Sequence, residues 1–509
     1  MRVPNMYEKI LEIASRRGFF WPSFEIYGGL SGFITYGNIG TKFKRNIEDL
    51  WRTFFIKPQI ILEIDDPIIN PEKVFSASGH LEHFKEYLVE CSVCSNVYRA
   101  DHLVEEQLKI EHAEALGSEK IISLLKKSRV KCPQCGGALK EPMTLLTMFQ
   151  MTIGLKGDEI AYGRPETAQG MFLNFRRGFQ HAHEKMPFGL AQIGKAVRNE
   201  ISPRRGIIRL REFTMMELEF FFDPKQETCP WLREVGDEEV NIITEEMEEQ
   251  NVKTPIKEKI INLSDIGYVK TEWQSYFMGV SKKFLKALGV QDEKQRFRAH
   301  LPNERSHYSA QTYDHEILTE AWGWIEVAGH AYRTDYDLKA HQKGSGADFS
   351  VLRSDSSRFV PHVIEPSFGL DRLVYVTLEC SYRRKKDRNI FALPKRLAPI
   401  KISVFPLVSK DGLPEKAGEV YKLLLDSGFP VDYEEGSSIG KMYARADEIG
   451  VPIAVTVDYR SMEDETVTLR DRDTWTQVRQ KIKLLPKILD QYFKDQITFR
   501  ELGSNLNIA

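Results

Sequence analysis

Arginines and carboxylates crowd into one stretch of this 509-residue chain. Residues 189–222 read GLAQIGKAVRNEISPRRGIIRLREFTMMELEFFF and carry Arg198, Glu200, Arg204, Arg205, Arg209, Arg211, Phe213 and Glu217. A guanidinium fork suits phosphate oxygens, an aromatic face suits a planar base, and a carboxylate suits an ammonium group. Together these groups suit ATP bound beside an amino acid. A solvated row of arginines is the plainer reading. Against it, Arg198 and Glu200 sit two apart on one strand face, so a cation and an anion share a small region. Phe213 and Glu217 then follow on the return strand.

Two strands must carry these groups. Ala191, Ile193, Ala196 and Val197 lead in, residues 209–222 alternate apolar with polar, and ISPRRG, with Pro203 and Gly206, supplies the turn. The spacing predicts a long antiparallel hairpin.

Three other carboxylates and arginines stand out. Glu166, in GRPETAQGMFLNFRR (163–177), lies on a loop before a helix that starts at Ala168; an acid there could simply complement the helix dipole. Glu326 lies on a core strand running through Trp322 to Val327. Burial there is expensive without a partner, which could be magnesium bridging phosphates or an arginine. In VIEPSFGLDRLVYVTLE (363–379), a strand breaks at Gly369 into a helix with Leu370, Leu373, Val374 and Leu378 as its buried stripe. Arg372 falls in the first turn, where cations are disfavoured, so it implies an anionic partner.

Cys91 with Cys94 (CSVC) and Cys132 with Cys135 (CPQCGG) form two C-x-x-C pairs, and Gly136-Gly137 suits a knuckle turn. A four-thiolate structural zinc ribbon is favoured over buried small residues or a redox pair. Cys229 and Cys380 are packing residues. His80 and His83 lack companion ligands and read as ordinary polar contacts.

With 42% hydrophobic and 28% charged residues, the chain is soluble and globular, with two to four domains. A net charge of −2 makes any nucleic-acid surface local. Apolar runs are too short to span a membrane, the start is an amphipathic helix with Ile10, Leu11 and Ala14 on one face rather than a signal peptide, and the cysteines fit a reducing cytoplasm. Further helices are expected over 42–55, over the acidic stretch 234–249 and over 281–288. SYRRKKDRN (381–389) is basic, a solvated linker or a nucleic-acid contact. From Ala398, strands and helices alternate, ending in WTQVRQKIKLLPKILDQYF as a closing helix.

VRNE, a loop and RLREF resemble motif 2 of class II aminoacyl-tRNA synthetases. The fuller RNEISPRRGIIRLREFTMMELEFF resembles glycyl-tRNA synthetases of the homodimeric, archaeal/eukaryotic-like type. RPETAQG, the EPS of 365–367, GLDR (369–372) as motif 3 and YRADHL (98–103) match the same family, with Asn38 where it usually has proline. The helix over 42–55 and the strand that follows it, ending near Pro67 or Pro71, resemble motif 1, the dimer-forming element.

The resemblance implies an α/β (α+β) fold. An antiparallel-sheet catalytic domain over 1–397 would carry a zinc-ribbon-like insertion at 88–140 and a second insertion at 225–310, of a kind that can cover the acceptor end of tRNA. An anticodon-binding domain would follow at 398–509. It implies ATP-dependent activation of glycine and its transfer to the 3′ end of tRNA(Gly), by a cytoplasmic homodimer. Arg198, Glu200, Arg209 and Arg372 would be catalytic. ATP would meet these four with Asn199, Ile208, Leu210, Arg211, Glu212, Phe213, Glu326, Val327, Gly369, Leu370 and Asp371, and Glu326 would place Mg2+. Glycine would meet Arg99, Glu166, Phe213, Thr214, Met215, Met216, Glu217, Glu365, Pro366, Ser367, Phe368 and Gly369. Two alternatives are another class IIa synthetase, for threonine or proline, and a non-catalytic synthetase-like protein that binds nucleic acid. RPETAQG with FTMMELEF argues against the first, and the retained Arg198, Arg209 and Arg372 against the second.

Overall fold

A computed structural model describes residues 5–505 except 58, 59, 111, 112, 156, 202–205 and 227. Pro203, Arg204 and Arg205 of the hairpin loop therefore lie outside the described residues. Nine strands form the central sheet: β1 (Ile61–Glu63), β2 (Phe188–Val197), β3 (Glu212–Phe222), β4 (Glu239–Ile243), β5 (Ile256–Lys259), β6 (Gln295–Ala299), β7 (Gln311–Thr319), β8 (Gly323–Thr334) and β9 (His362–Gly369). Their spatial order is β5-β4-β6-β7-β8-β9-β3-β2-β1, antiparallel throughout except β1–β2 and β4–β6. The expected hairpin is β2–β3, in continuous register from Phe188↔Phe221 to Val197↔Glu212, but Arg198, Glu200, Arg209 and Arg211, expected on its strands, lie in the connection between them.

The period of two along β3 divides core from site. Met216, Leu218, Phe220 and Phe222 enter the main hydrophobic core. Glu217 and Glu219 belong to the alternate set and are buried beneath the opposite face. Helices cover the core side. In α1 (Met6–Arg16), Asn5 and Glu8 form a capping box, and Ile10, Ile13 and Ala14 are buried. In α2 (Asn38–Phe55), Ile39, Phe43, Ile47, Leu50, Trp51 and Phe55 are buried. Asn38 is the first helical residue of α2, a position where proline suits because no intrahelical N–H is needed; asparagine there breaks no helix bond. Phe55 packs against Phe368 of β9 with centroids 5.0 Å apart, and both meet Phe284 of α4 (Glu272–Ala287), named here after the short α3 (Ala168–Leu173). The last helix before the C-terminal part is α5 (Leu370–Ser381), whose expected apolar stripe is fully buried.

Two expectations about elements fail. The acidic stretch 234–249 is not one helix. It holds strand β4 and only a five-residue helix, Glu245–Glu249, because Val240, Ile242 and Ile243 are buried against the sheet. The region 225–310 thereby supplies β4, β5 and β6 to the central sheet itself. Likewise the front of the "closing helix" is a strand, Gln477–Lys481, and the helix is Leu485–Phe493, with Pro486 in its first turn.

The C-terminal part folds around a six-stranded sheet whose first three strands in space are parallel. It has its own apolar core, with Ile402, Val404, Ile453, Val455 and Leu489. Phe405, Met442, Ala446 and Val451 on its other side join the main core instead, and Glu448 pairs with Arg16 and Arg17 at 3.0 and 2.6 Å.

Candidate active site

A cleft of about 650 Å³ opens on the face of β3 that bears Glu217. Arg198, Glu200, Ile208, Arg209, Leu210, Phe213, Met215, Glu326, Val327, Ser367, Gly369, Asp371 and Arg372, all singled out from the sequence, line it. Three arginines converge here, two from the β2–β3 connection and one from the first turn of α5. Arg198 donates through Nε to the Pro165 carbonyl at 3.0 Å, and its guanidinium lies between the rings of Phe84 and Phe213, 5.5 and 5.4 Å away. Arg209 donates to Glu200 at 2.7 Å. Arg372, at the start of α5, donates to the Ile208 carbonyl and to the Glu326 carbonyl and carboxylate, at 3.1, 2.7 and 2.8 Å. The anionic partner that its position implied is Glu326.

Glu326 corrects an expectation. It is not buried: its side chain is 47% exposed to the cleft. It sits opposite Glu316 where the β7–β8 register shifts, which leaves it on the open face. Desolvation works to raise its pKa, but Arg372 outweighs this and holds it below the ordinary carboxylate range.

Next to the cleft, joined to it through Ser367, lies a buried acidic cluster. Glu166, Glu217, Glu219, Glu365 and Asp337 are all buried around Arg333, which is itself fully buried. Arg333 donates to Asp337 through Nε and Nη2 and to Glu365 through Nη1, each at 2.8 Å, and its guanidinium stacks 3.6 Å over Tyr308. Glu217 accepts the Thr167 N–H at 2.6 Å, the Thr167 hydroxyl, and the Ser367 hydroxyl at 2.6 Å. Among the described residues, Glu219 has no hydrogen-bond partner on either oxygen. Burial, then the neighbouring carboxylates, push Glu217 up, Glu219 far up and Glu365 to about 8. Glu166 goes the other way: burial would raise it, but His80, Arg333 and Gln169 hold it well down.

The remaining sequence-selected residues lie elsewhere. Side chains of Met216, Phe368 and Leu370 join the apolar core on the far side of the sheet, as strand alternation and the helix stripe require. Pro366 is buried in β9. Thr214 is buried, its N–H bound to Asp371 at 2.6 Å. Asn199 donates its backbone N–H to Thr147, Arg211 turns to the carbonyls of Glu200 and Ser31, and Glu212 pairs with Lys195. Arg99 is held by Glu86 and Asp101, and Glu86 also pairs with Arg209. Reading from the sequence missed Arg333, Asp337, Thr167, Gln169, Glu219 and His80. Only the i,i+4 spacing of Arg333 and Asp337 could have hinted at the pocket's central pair.

Away from the cleft, the segment around 85–146 forms a three-stranded sheet with helices Ala100–Leu108 and Ser118–Lys127. Its four cysteine sulfurs all lie within 4.8 Å of one another, with Cys91–Cys135 at 3.5 Å and Cys94–Cys132 at 3.6 Å. Gly136 has a φ of 69°, and a Cβ on Gly137 would sit 2.7 Å from Val93 and 3.0 Å from the Cys91 sulfur. The knuckle needs both glycines. Among the described residues, no helix is long and apolar enough to cross a membrane.

Residues 401–492 match the Anticodon binding domain family. The glycine–tRNA ligase of Aeropyrum pernix is 39% identical, over 98% of this chain and 99% of the relative. That of Pyrococcus horikoshii is 41% identical over 96% and 98%, and that of Methanocaldococcus jannaschii 38% over 96% and 100%. The chain belongs to the glycine–tRNA ligases. Membership makes it an aminoacyl-tRNA synthetase. A prolyl-tRNA synthetase from Cryptosporidium parvum, solved with L-proline and AMP, is 12% identical with a TM-score of 0.58, over 96% of this chain and 75% of that one. At that identity the likeness bears on fold alone: a class II synthetase fold with a C-terminal anticodon-binding domain.

Proposed function

We propose that the cleft activates glycine with ATP, and that the glycyl group then passes to the 3′ end of tRNA(Gly). The observation that carries this reading is adjacency: Met215 and Ser367 line the arginine cleft, while Glu217, two residues along β3, accepts from Ser367 in the acidic pocket. A phosphate group and an ammonium group can therefore be held a few ångströms apart.

Glycine's carboxylate attacks the α-phosphorus and pyrophosphate leaves. The attacking carboxylate is already ionised near neutral pH, so no general base is required. Charge stabilisation and alignment do the work. Arg198 holds the α-phosphate and the attacking carboxylate. Arg209 and Arg372 take the outer phosphates, which displace Glu200 and Glu326 as their partners. Phe213 offers adenine the ring face that Arg198 does not use. Glu326, exposed at the cleft, fits a magnesium ion, which would neutralise phosphate charge. Glu166, Glu217 and Glu365 surround the ammonium, and Ser367 with Thr167 fixes Glu217. Selection works by exclusion: a side chain on the substrate's Cα would meet buried, hydrogen-bonded groups that cannot retreat.

The four-cysteine cluster fits zinc. Four thiolates 2.3 Å from a tetrahedral ion stand about 3.8 Å apart, close to the spacing here. Cys91, Cys94, Cys132 and Cys135 would hold a structural ion that fixes the insertion. The C-terminal domain would take the anticodon. Two copies would pair near edge strand β1, with Ile26 and Tyr27 (88% and 86% exposed) as further apolar surface to cover. Pyrophosphate exchange with all twenty amino acids tests the central reading. Exchange with glycine alone is expected, and exchange with alanine or serine at a comparable rate overturns it.

A further inference from the structure

His80 opens a four-residue helix, His80–His83, that belongs to none of the synthetase motifs. Its ring is fully buried. Nδ1 lies 2.7 Å from the Ser78 hydroxyl, and one ring face stacks on Phe84, centroids 4.8 Å apart. Nε2 makes no hydrogen bond among the described residues, and the charged atom it faces, 3.3 Å away, is Oε1 of Glu166. The same oxygen takes Gln169 Nε2 at 3.0 Å and lies 3.7 Å from Arg333. Three nitrogens thus converge on Oε1 of Glu166. Phe84, behind the histidine, also faces the guanidinium of Arg198.

We propose that His80 is a positioning residue for the amino-acid pocket: its Nε2, 3.3 Å from Oε1 of Glu166 and with no other partner among the described residues, acts as donor to that oxygen, so that the other is presented to the substrate ammonium. This rests on the glycine-pocket reading above. Ser78 fixes the ring by occupying Nδ1, and the Phe84 stack sets its plane. The same stack places the histidine one ring away from Arg198, so the ammonium and phosphate subsites share a wall.

Two substitutions separate the donor from the ring. His80→Gln keeps an N–H at about the same distance from Cα and loses the stack. His80→Phe keeps the stack and loses the donor. Losing a donor to a buried charge is expected to raise the glycine KM roughly tenfold or more in His80→Phe, with the ATP KM unchanged and a folded protein by circular dichroism. His80→Gln is expected to stay within about threefold of the parent. The opposite order, with His80→Phe near normal and His80→Gln impaired, overturns the proposal in favour of packing. So does an equal rise in both KM values. Should His80→Phe not fold, Ser78→Ala serves: a rise of a few-fold in the glycine KM alone is expected, and no rise overturns the proposal. Glu166→Gln is the control. An unchanged glycine KM there removes the glycine-pocket reading itself, whereas a raised one with normal His80→Phe removes only the role of His80.

Discussion

Arg198, Arg209 and Arg372 stand at the open half of the cleft, each held by a carbonyl or a carboxylate; the side chains of Arg209 and Arg372 are 27% and 33% exposed. In the closed half the charges are reversed. Buried carboxylates surround Arg333, which water does not reach. An exposed ion pair is worth little, about 1 kcal/mol or less, and exchanges partners freely. A buried one is expensive to form and more expensive to break. The open half can therefore trade Glu200 and Glu326 for incoming phosphates, while the closed half keeps its shape whether or not an amino acid is present. The contrast assigns affinity for the nucleotide to replaceable contacts and selectivity for the amino acid to fixed ones.

The sharpest way to break this contrast is Arg333→Met. Removing the buried cation leaves Asp337 uncompensated and Glu365 without its donor, and unfolding free energy should fall by about 3–5 kcal/mol. Urea denaturation measures it; a loss under ~1 kcal/mol would place Arg333 with the surface pairs. Arg198→Ala probes the open half. It should lower glycine-dependent pyrophosphate exchange by roughly 100-fold or more, yet barely move the melting temperature. If stability falls as much as with Arg333→Met, the two halves are not different in kind. Glu217→Gln comes next. The glycine KM should rise roughly 10- to 100-fold, with the ATP KM steady, and an equal change in both would merge the two subsites.

How much of this contrast was legible beforehand follows from its physics. The open half was legible, because the arginines that line it sit in a hairpin's connection and at a helix start, whose patterns are local. Phe213, Met215 and Ser367 came with them. The closed half was half read. Glu166, Glu217 and Glu365 carry recognisable surroundings, but Arg333, Asp337 and Glu219 come from strands and a helix that meet only in three dimensions. Met216 and Phe368 were expected at glycine and Leu370 at ATP because they neighbour the right residues in sequence. Strand alternation, applied strictly, would have sent Met216 and Phe368 to the core. The 234–249 stretch was misread because its glutamates concealed the buried Val240-Ile242-Ile243 run.

The smallest expected effect is on pH. Burial first, then Glu217 and Glu166, push the Glu365 carboxyl up to about 8 against the pull of Arg333. The titration belongs to the whole cluster, since Glu217 and Glu219 are raised with it. Because the folded pKa exceeds that of the unfolded chain, the bound proton adds stability that is complete below about pH 4.5 and is lost as pH rises through about 8. An entering ammonium ion must expel that proton. Below pH 8 its apparent affinity should rise with pH, by at most about tenfold per unit, and then level off. Glu326 is held down by Arg372, so it stays ionised across this window and the ATP KM should stay flat between pH 7 and 8.5. Glycine should accordingly raise the melting temperature more at pH 8 than at pH 6.5. Parallel pH profiles for glycine and ATP would mean that the closed half titrates like the open one, and the contrast between fixed and replaceable charge would fall.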